Sequence, residues 1–207
     1  MNCATCLVPG IDRCIRLMNE YRMLNNIRHH SLVVAQVADA LLSGLNEGLP
    51  TAPLLDRRLT IAGALLHDIA KTPCLEEGCD HAELGGQICE EHGFAEVGAI
   101  VREHVILRDH DPQRYRNGLF TEKEIVYYAD KRVRHQQIVS LAERLVYILD
   151  HYAKGNPRLR QLIQENFERC LDLEKALFNV LGFPPDQLEY RVRFPQPPSG
   201  KEFDPWE

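Results

Sequence analysis

Apolar positions recur at helical spacing along most of the chain. Between Ile27 and Leu45 the set Ile27, Val33, Val34, Val37, Ala38, Leu41 and Leu42 shares one helical face, and Gly44 with the Gly48-Leu49-Pro50 turn ends it. Ile11, Ile15, Leu17, Met18 and Leu24 predict an earlier helix over Ile11–Asn25. Leu59–Ala70 is short and nearly all apolar, which predicts a buried helix that Pro73 keeps from continuing. Cys74–Asp80 reads as a loop. It leads to a helix from His81 to Glu91, with Asp80 as N-cap and Gly93 as stop, and to another from Ala95 to Ile106.

Further along, the polar stretch Arg108–Gly118, with Pro112 inside it, reads as a loop. Thr121-x-x-Glu124 has the form of a capping box and opens a helix carrying Ile125 to Asp130. Two longer amphipathic patterns, Gln136–Tyr152 and Pro157–Leu181, are separated by Lys154-Gly155-Asn156-Pro157. Strand signals are scarce, so the expected class is all-α, a helical bundle. After Gly182 the chain holds Pro184, Pro185, Pro195, Pro197, Pro198 and Pro205, which predicts an extended or disordered tail over 182–207 behind a domain of residues 1–181.

Composition changes this picture little. The 207 residues suit one domain with a sizeable core, and 44% hydrophobic with 26% charged residues is ordinary for globular proteins. A net charge of -6 argues against a grip on duplex nucleic acid, which needs a basic face. Without a membrane-length apolar run or a basic-then-apolar start, the cytoplasm is the expected location. The seven cysteines, an odd number, read as reduced thiols. Cys3 and Cys6 form a lone C-x-x-C pair with no second pair at zinc-ribbon spacing, and read as free thiols.

Polar residues that break the apolar faces carry the chemistry. His30 lies on the inner stripe of its helix, His67 and Asp68 interrupt a buried helix near its end, His104 follows Ile100 and Val101 at inward spacing, and Asp130 closes the run from Ile125. Burying such groups unpaired costs several kcal/mol, so their convergence suits a divalent cation. Lys71, one turn beyond His67, is placed to steady a phosphate. Arg102, Lys131 and Arg134 add positive charge near these positions and are candidates to bind an anionic substrate. Tyr127 and Tyr128 suit either stacking on a base or core packing.

The segments Ile27-Arg28-His29-His30-Ser31, Ala64-Leu65-Leu66-His67-Asp68-Ile69-Ala70-Lys71 and Tyr128-Ala129-Asp130-Lys131 resemble the H…HD…D signature of the HD-domain superfamily over roughly residues 25–135. The resemblance implies an all-helical fold with a metal held by His30, His67, Asp68 and Asp130. His81 in Asp80-His81-Ala82-Glu83 and His104 resemble the extra ligands of two-metal HD proteins, in which Asp68 would bridge both ions.

The resemblance further implies a phosphohydrolase, with Asp68 and Lys71 as its catalytic groups and two divalent ions drawn from Mn, Fe, Co, Ni, Zn and Mg. A bound ion lowers the pKa of water enough to supply hydroxide near neutral pH. The expected partner is a small phosphorylated substrate, a nucleotide first, and the chain would act alone or as a homo-oligomer. Two other classes stay open: a di-iron oxygenase acting on a small polar substrate with a similar ligand set, and a non-catalytic nucleotide-binding module.

Overall fold

Side-chain caps set most of the element boundaries. In the computed structural model, which describes residues 7–49 and 52–193, Asp56, Asp80, Asp111 and Asn156 each accept hydrogen bonds from N–H groups in the first turn of a helix, where unpaired donors gather. Capping boxes Thr121–Glu124 and Ser140–Glu143 open two more. The helices in chain order are α1 (Ile11–Glu20), α2 (Asn25–Gly48), α3 (Arg57–Leu66), α4 (Lys71–Glu77), α5 (His81–Glu91) and α6 (Ala95–Glu103). They continue as α7 (Pro112–Arg116), α8 (Glu122–Lys131), α9 (Leu141–Tyr152), α10 (Pro157–Leu181) and α11 (Leu188–Arg191). Between α8 and α9 a small antiparallel hairpin, β1 (Val133–Arg134) and β2 (Gln137–Ile138), pairs Val133 with Ile138. Among the described residues the fold is all-α apart from this ribbon.

Helix α2 packs against α3, α8 and α10, burying Val34, Val37, Ala38 and Leu41 together with His30. Helices α5 and α6 form a hairpin, and α6 lies against both α3 and α8. The α3–α6 crossing depends on Gly63, where an added Cβ would stand 2.7 Å from Cγ2 of Ile100. That close approach fixes α3, whose C-terminal end carries His67 and Asp68. Among the described residues, no helix is long and apolar enough to cross a membrane.

Several sequence expectations are corrected. Pro73 does not stop a helix; it sits in the first turn of α4, where a missing N–H is tolerated, so Cys74–Glu77 is helical and not loop. Gly78, in the left-handed region at φ 70, turns the chain back so that Cys79 reaches Cys74 and forms a disulfide with Cα atoms 4.7 Å apart. These two cysteines are therefore not reduced thiols, whereas Cys14, Cys89 and Cys170 are free and buried. Cys3 and Cys6 lie outside the described residues.

Helix α1 ends at Glu20, because Arg22 at φ 50 leaves the helical region. Helix α6 ends at Glu103, α9 starts only at Leu141 with the hairpin before it, and α7 interrupts the expected 108–118 loop. The tail also begins differently from its expectation. Pro184 and Pro185 start a 3-10 turn (Pro185–Gln187) that runs into α11, and Leu188 and Val192 join the core. The remaining tail, 194–207, lies outside the described residues.

Gly63→Ala should destabilise the fold by about 1–3 kcal/mol, the usual range for overpacking a filled core. Denaturant melts of Gly63→Ala and of the double variant Gly63→Ala/Ile100→Ala check this. The second substitution should recover part of the loss, and equal losses in both would contradict the crossing as described.

Candidate metal centre

Each candidate ligand stands where a helix brings it to one point. His30 projects from the second turn of α2, His67 and Asp68 occupy the turn after α3, and His81 is the first residue of α5. His104 follows α6 as its cap, and Asp130 is the penultimate residue of α8. His30, His67, Asp68, His104 and Asp130 are buried, and His81 is half-buried. All six expected metal ligands are thus brought together.

They form two groups that share Asp68: His30, His67 and Asp68 on one side, and Asp68, His81 and His104 on the other. Oδ2 of Asp68 lies 3.3 Å from Nε2 of His67, while Oδ1 lies 3.4 Å from Nε2 of His81 and 3.5 Å from Nε2 of His104. Asp130 closes the first group, with Oδ1 at 3.0 Å from Nε2 of His30 and 3.7 Å from Nε2 of His67. The imidazoles of His81 and His104 approach each other to 3.3 Å between Nε2 atoms.

Hydrogen bonds at the far side of the rings decide what these nitrogens offer. Nδ1 of His67 donates to the carbonyl of Ala64 at 2.7 Å, Nδ1 of His104 to Val101 at 2.6 Å, and Nδ1 of His30 to His135 at 3.1 Å. A carbonyl only accepts, so each Nδ1 carries the hydrogen, and each ring, when neutral, turns a lone pair on Nε2 toward the carboxylates. Lone pairs then face carboxylate oxygens, an arrangement that a proton or a cation between them must relieve. Nε2 of His67 and Oδ1 of Asp68 are both buried with no hydrogen-bond partner. Donor chemistry, ring orientation and these orphaned atoms together fit divalent cations.

Charge states agree with that use. Burial holds the pKa of His104 down to about 4 and also lowers that of His30, although Asp130 partly offsets the latter. For His67, burial acts downward most strongly, but the charge and hydrogen bond of Asp68 together with the charge of Asp130 outweigh it and raise the pKa. Burial would raise the pKa of Asp68; instead the charges of Lys71 and His67 hold it well below the usual range. Asp130 is likewise held low against its burial, chiefly by Lys131 and His30. Two anions therefore meet the neutral rings of His30 and His104 at neutral pH, a donor set that attracts a cation.

The expected cationic residues divide. Nζ of Lys71 donates to Oδ2 of Asp68 at 2.7 Å and lines a cavity of about 450 Å³ beside Asp68, His81, His104 and Asp130. Lys131 also lines it, but its buried ammonium is tied to Asp130 and to the carbonyl of His104, both at 2.8 Å, which suits positioning. Arg102 is not in the cavity: its guanidinium binds Glu90 and Glu83 across α5 and α6. Arg134 is not there either, and its contact is with Gln137 in the hairpin. Both corrections have one cause: nearness in sequence to a ligand does not set the same face.

Arg144 was not singled out by the sequence. It lines the cavity from α9, buried, 3.7 Å from Oδ1 of Asp130, and its Nε is buried without a partner. The signal was present, because Leu141, Leu145 and Ile148 face the core on the same stripe. Tyr127 and Tyr128 are fully buried, bonded to Asn166 and Glu174, and serve packing. His135 contributes its backbone carbonyl, and its φ of 57 aims that hairpin turn.

A family model described as the HD domain matches residues 27–155, more than half of the chain, a span that includes all six candidate ligands. The chain is 27% identical over 197 residues to a tRNA (cytidine(56)-2'-O)-methyltransferase of Thermoplasma volcanium, covering 88% of this chain and 51% of that protein. A protein of the same description from Picrophilus torridus is 27% identical, over 79% of this chain and 48% of that one. The chain spans about half the length of these two relatives. An uncharacterized protein of Methanocaldococcus jannaschii is also 27% identical, over 69% of this chain and 87% of its own length. No solved structure matches the chain significantly.

His104 carries a testable pH dependence in the metal-free protein. Folded, it stays neutral down to about pH 4, whereas the unfolded chain protonates it near 6.5. Stability should therefore be fully present above about pH 6.5 and fall as pH drops toward 4, by on the order of 3 kcal/mol from this residue. Denaturant melts of chelator-treated protein across that window measure the slope, and His104→Asn should flatten it.

Proposed function

Because the chain belongs to the HD-domain family, we propose that it is a metal-dependent phosphohydrolase that cleaves a phosphoester or phosphoanhydride of a small substrate, with nucleotides the first class to test. The observation that carries this reading is the sharing of buried Asp68 between two sets of imidazole lone pairs, beside a lysine on the cavity wall. Divalent ions held there would acidify water toward neutral pH and screen the charge of phosphate oxygens.

The chain's own residues do the rest. Asp68 and Asp130 stay ionised and anchor both sides of the centre. The carbonyls of Ala64, Val101 and His135 hold His67, His104 and His30 in the tautomer that presents Nε2. Lys71, whose pKa is raised by Asp68 against the effect of burial, keeps its proton and offers a fixed positive charge to a phosphate. Lys131 steadies Asp130 from within the core.

The two methyltransferase relatives bear on substrate choice only. Methyl transfer to tRNA is the activity in their name, and this chain covers about half of each. A phosphorylated RNA end accordingly joins the nucleotides as a substrate to test.

Phosphate release from that panel under nitrogen, with manganese supplied, tests the reading. Release should require metal and should be abolished by Asp68→Ala. Lys71→Ala should lower turnover about a hundredfold, the scale of losing one charge-stabilising group, while metal content stays as in the wild type. Release that survives Asp68→Ala would overturn the proposal. A metal-loaded protein that leaves every phosphate intact but consumes oxygen would shift the reading to di-iron oxygenation.

A further inference from the structure

The cavity over the candidate metal centre joins a charged floor to mostly apolar walls. Its floor carries Asp68, His81, His104, Asp130, Lys71 and Arg144. The walls are Leu75 from α4, Ile106 from the segment after α6, Ile148 from α9, and Leu162, Ile163 and Phe167 from α10. Several of these remain open to solvent, with Leu75 at 66%, Ile106 at 53% and Leu162 at 52% exposure. Tyr152, exposed at 60%, adds an aromatic ring to the lining. An apolar patch of this kind, continuous with a charged floor, is the usual form of a small-molecule site.

The polar side chain among these walls is already engaged. Asn166 donates from Nδ2 to the carbonyl of Val105 at 3.0 Å, and its Oδ1 accepts from the hydroxyl of Tyr127 at 3.0 Å. An organic group entering the cavity would meet mostly hydrocarbon and the aromatic ring of Tyr152, with the amide of Asn166 held by Val105 and Tyr127. Cations at the floor suit the phosphate end of the same molecule, in a chain whose net charge is -6.

We propose that this cavity selects phosphate esters by the apolar or aromatic character of the group attached to phosphate, and not by hydrogen bonds to that group. The proposal rests on the phosphohydrolase reading and narrows it. Among nucleotides it makes the site indifferent to base identity. Beyond them it favours aryl and alkyl phosphates over polyol phosphates.

The test separates binding from cleavage. Calorimetric titration of the manganese-loaded protein with 1-naphthylmethylphosphonate and with methylphosphonate measures the preference directly. The naphthyl compound should bind at least about tenfold tighter, as expected for the apolar area removed from water. Leu162→Ser and Leu75→Ser, both at exposed positions, should each reduce that ratio several-fold. A ratio near one, or a ratio that neither substitution moves, would overturn the proposal. So would a dimer that Leu162→Ser dissociates, since the patch would then belong to a second copy. Turnover of 1-naphthyl phosphate and glycerol phosphate is followed separately. A binding preference without cleavage would uphold the proposal and sink hydrolysis, and cleavage without preference would do the reverse.

Discussion

A carboxylate fully buried among imidazole lone pairs is the constraint on which the structure turns. Taking Asp68 and Asp130 out of water costs several kcal/mol each unless positive charge returns it. Lys71 and Lys131 supply part of that charge at 2.7 and 2.8 Å, and both pair with one oxygen only, Oδ2, of their carboxylates. The Oδ1 atoms face Nε2 of His81 and His104 in one case and of His30 and His67 in the other. With Nδ1 of His30, His67 and His104 bound to carbonyls, the Nε2 atoms of these rings, when neutral, have no hydrogen to give. Cations held there would resolve the repulsion around Asp68.

That requirement explains features of the fold that packing alone leaves unaccounted for. Four of the six ligands stand at or just beyond helix ends, where side chains reach a point that a continuous helix would carry past. The turn Leu66–Lys71 breaks what would otherwise be one run of α3 into α4 and presents His67 and Asp68 as neighbours with different bearings. Gly63 lets α3 approach α6 closely enough for His67 and His104 to meet, with ring centroids 4.9 Å apart. The hairpin after α8 returns the carbonyl of His135 to His30. Core and centre are thus one construction.

Much of this was legible in the sequence, for a physical reason. His30, His67, Asp68, His104 and Asp130 announce themselves as polar groups on apolar faces, and the helices that carry them follow from periodicity and caps. His81 gave no such signal, because it is half-buried at a helix start, and only the resemblance pointed to it. Arg144 lay on an apolar stripe but was overshadowed by charges nearer the motifs. Arg102, two residues before His104, is turned about 200° from it around the helix and so meets Glu83 and Glu90. Proline is ambiguous at two positions: Pro73 and Pro185 lie in the first turns of helices, where a missing N–H is harmless, although the residue type alone predicts a break. The Cys74–Cys79 pairing depends on the left-handed turn at Gly78, which cysteine counting cannot reveal.

The most direct test of the shared carboxylate is titration of the chelator-treated protein with manganese, followed by electron paramagnetic resonance. Two ions should bind per chain, and their spectrum should show exchange coupling if Asp68 is shared between them. A single uncoupled ion, or no binding, would contradict the account.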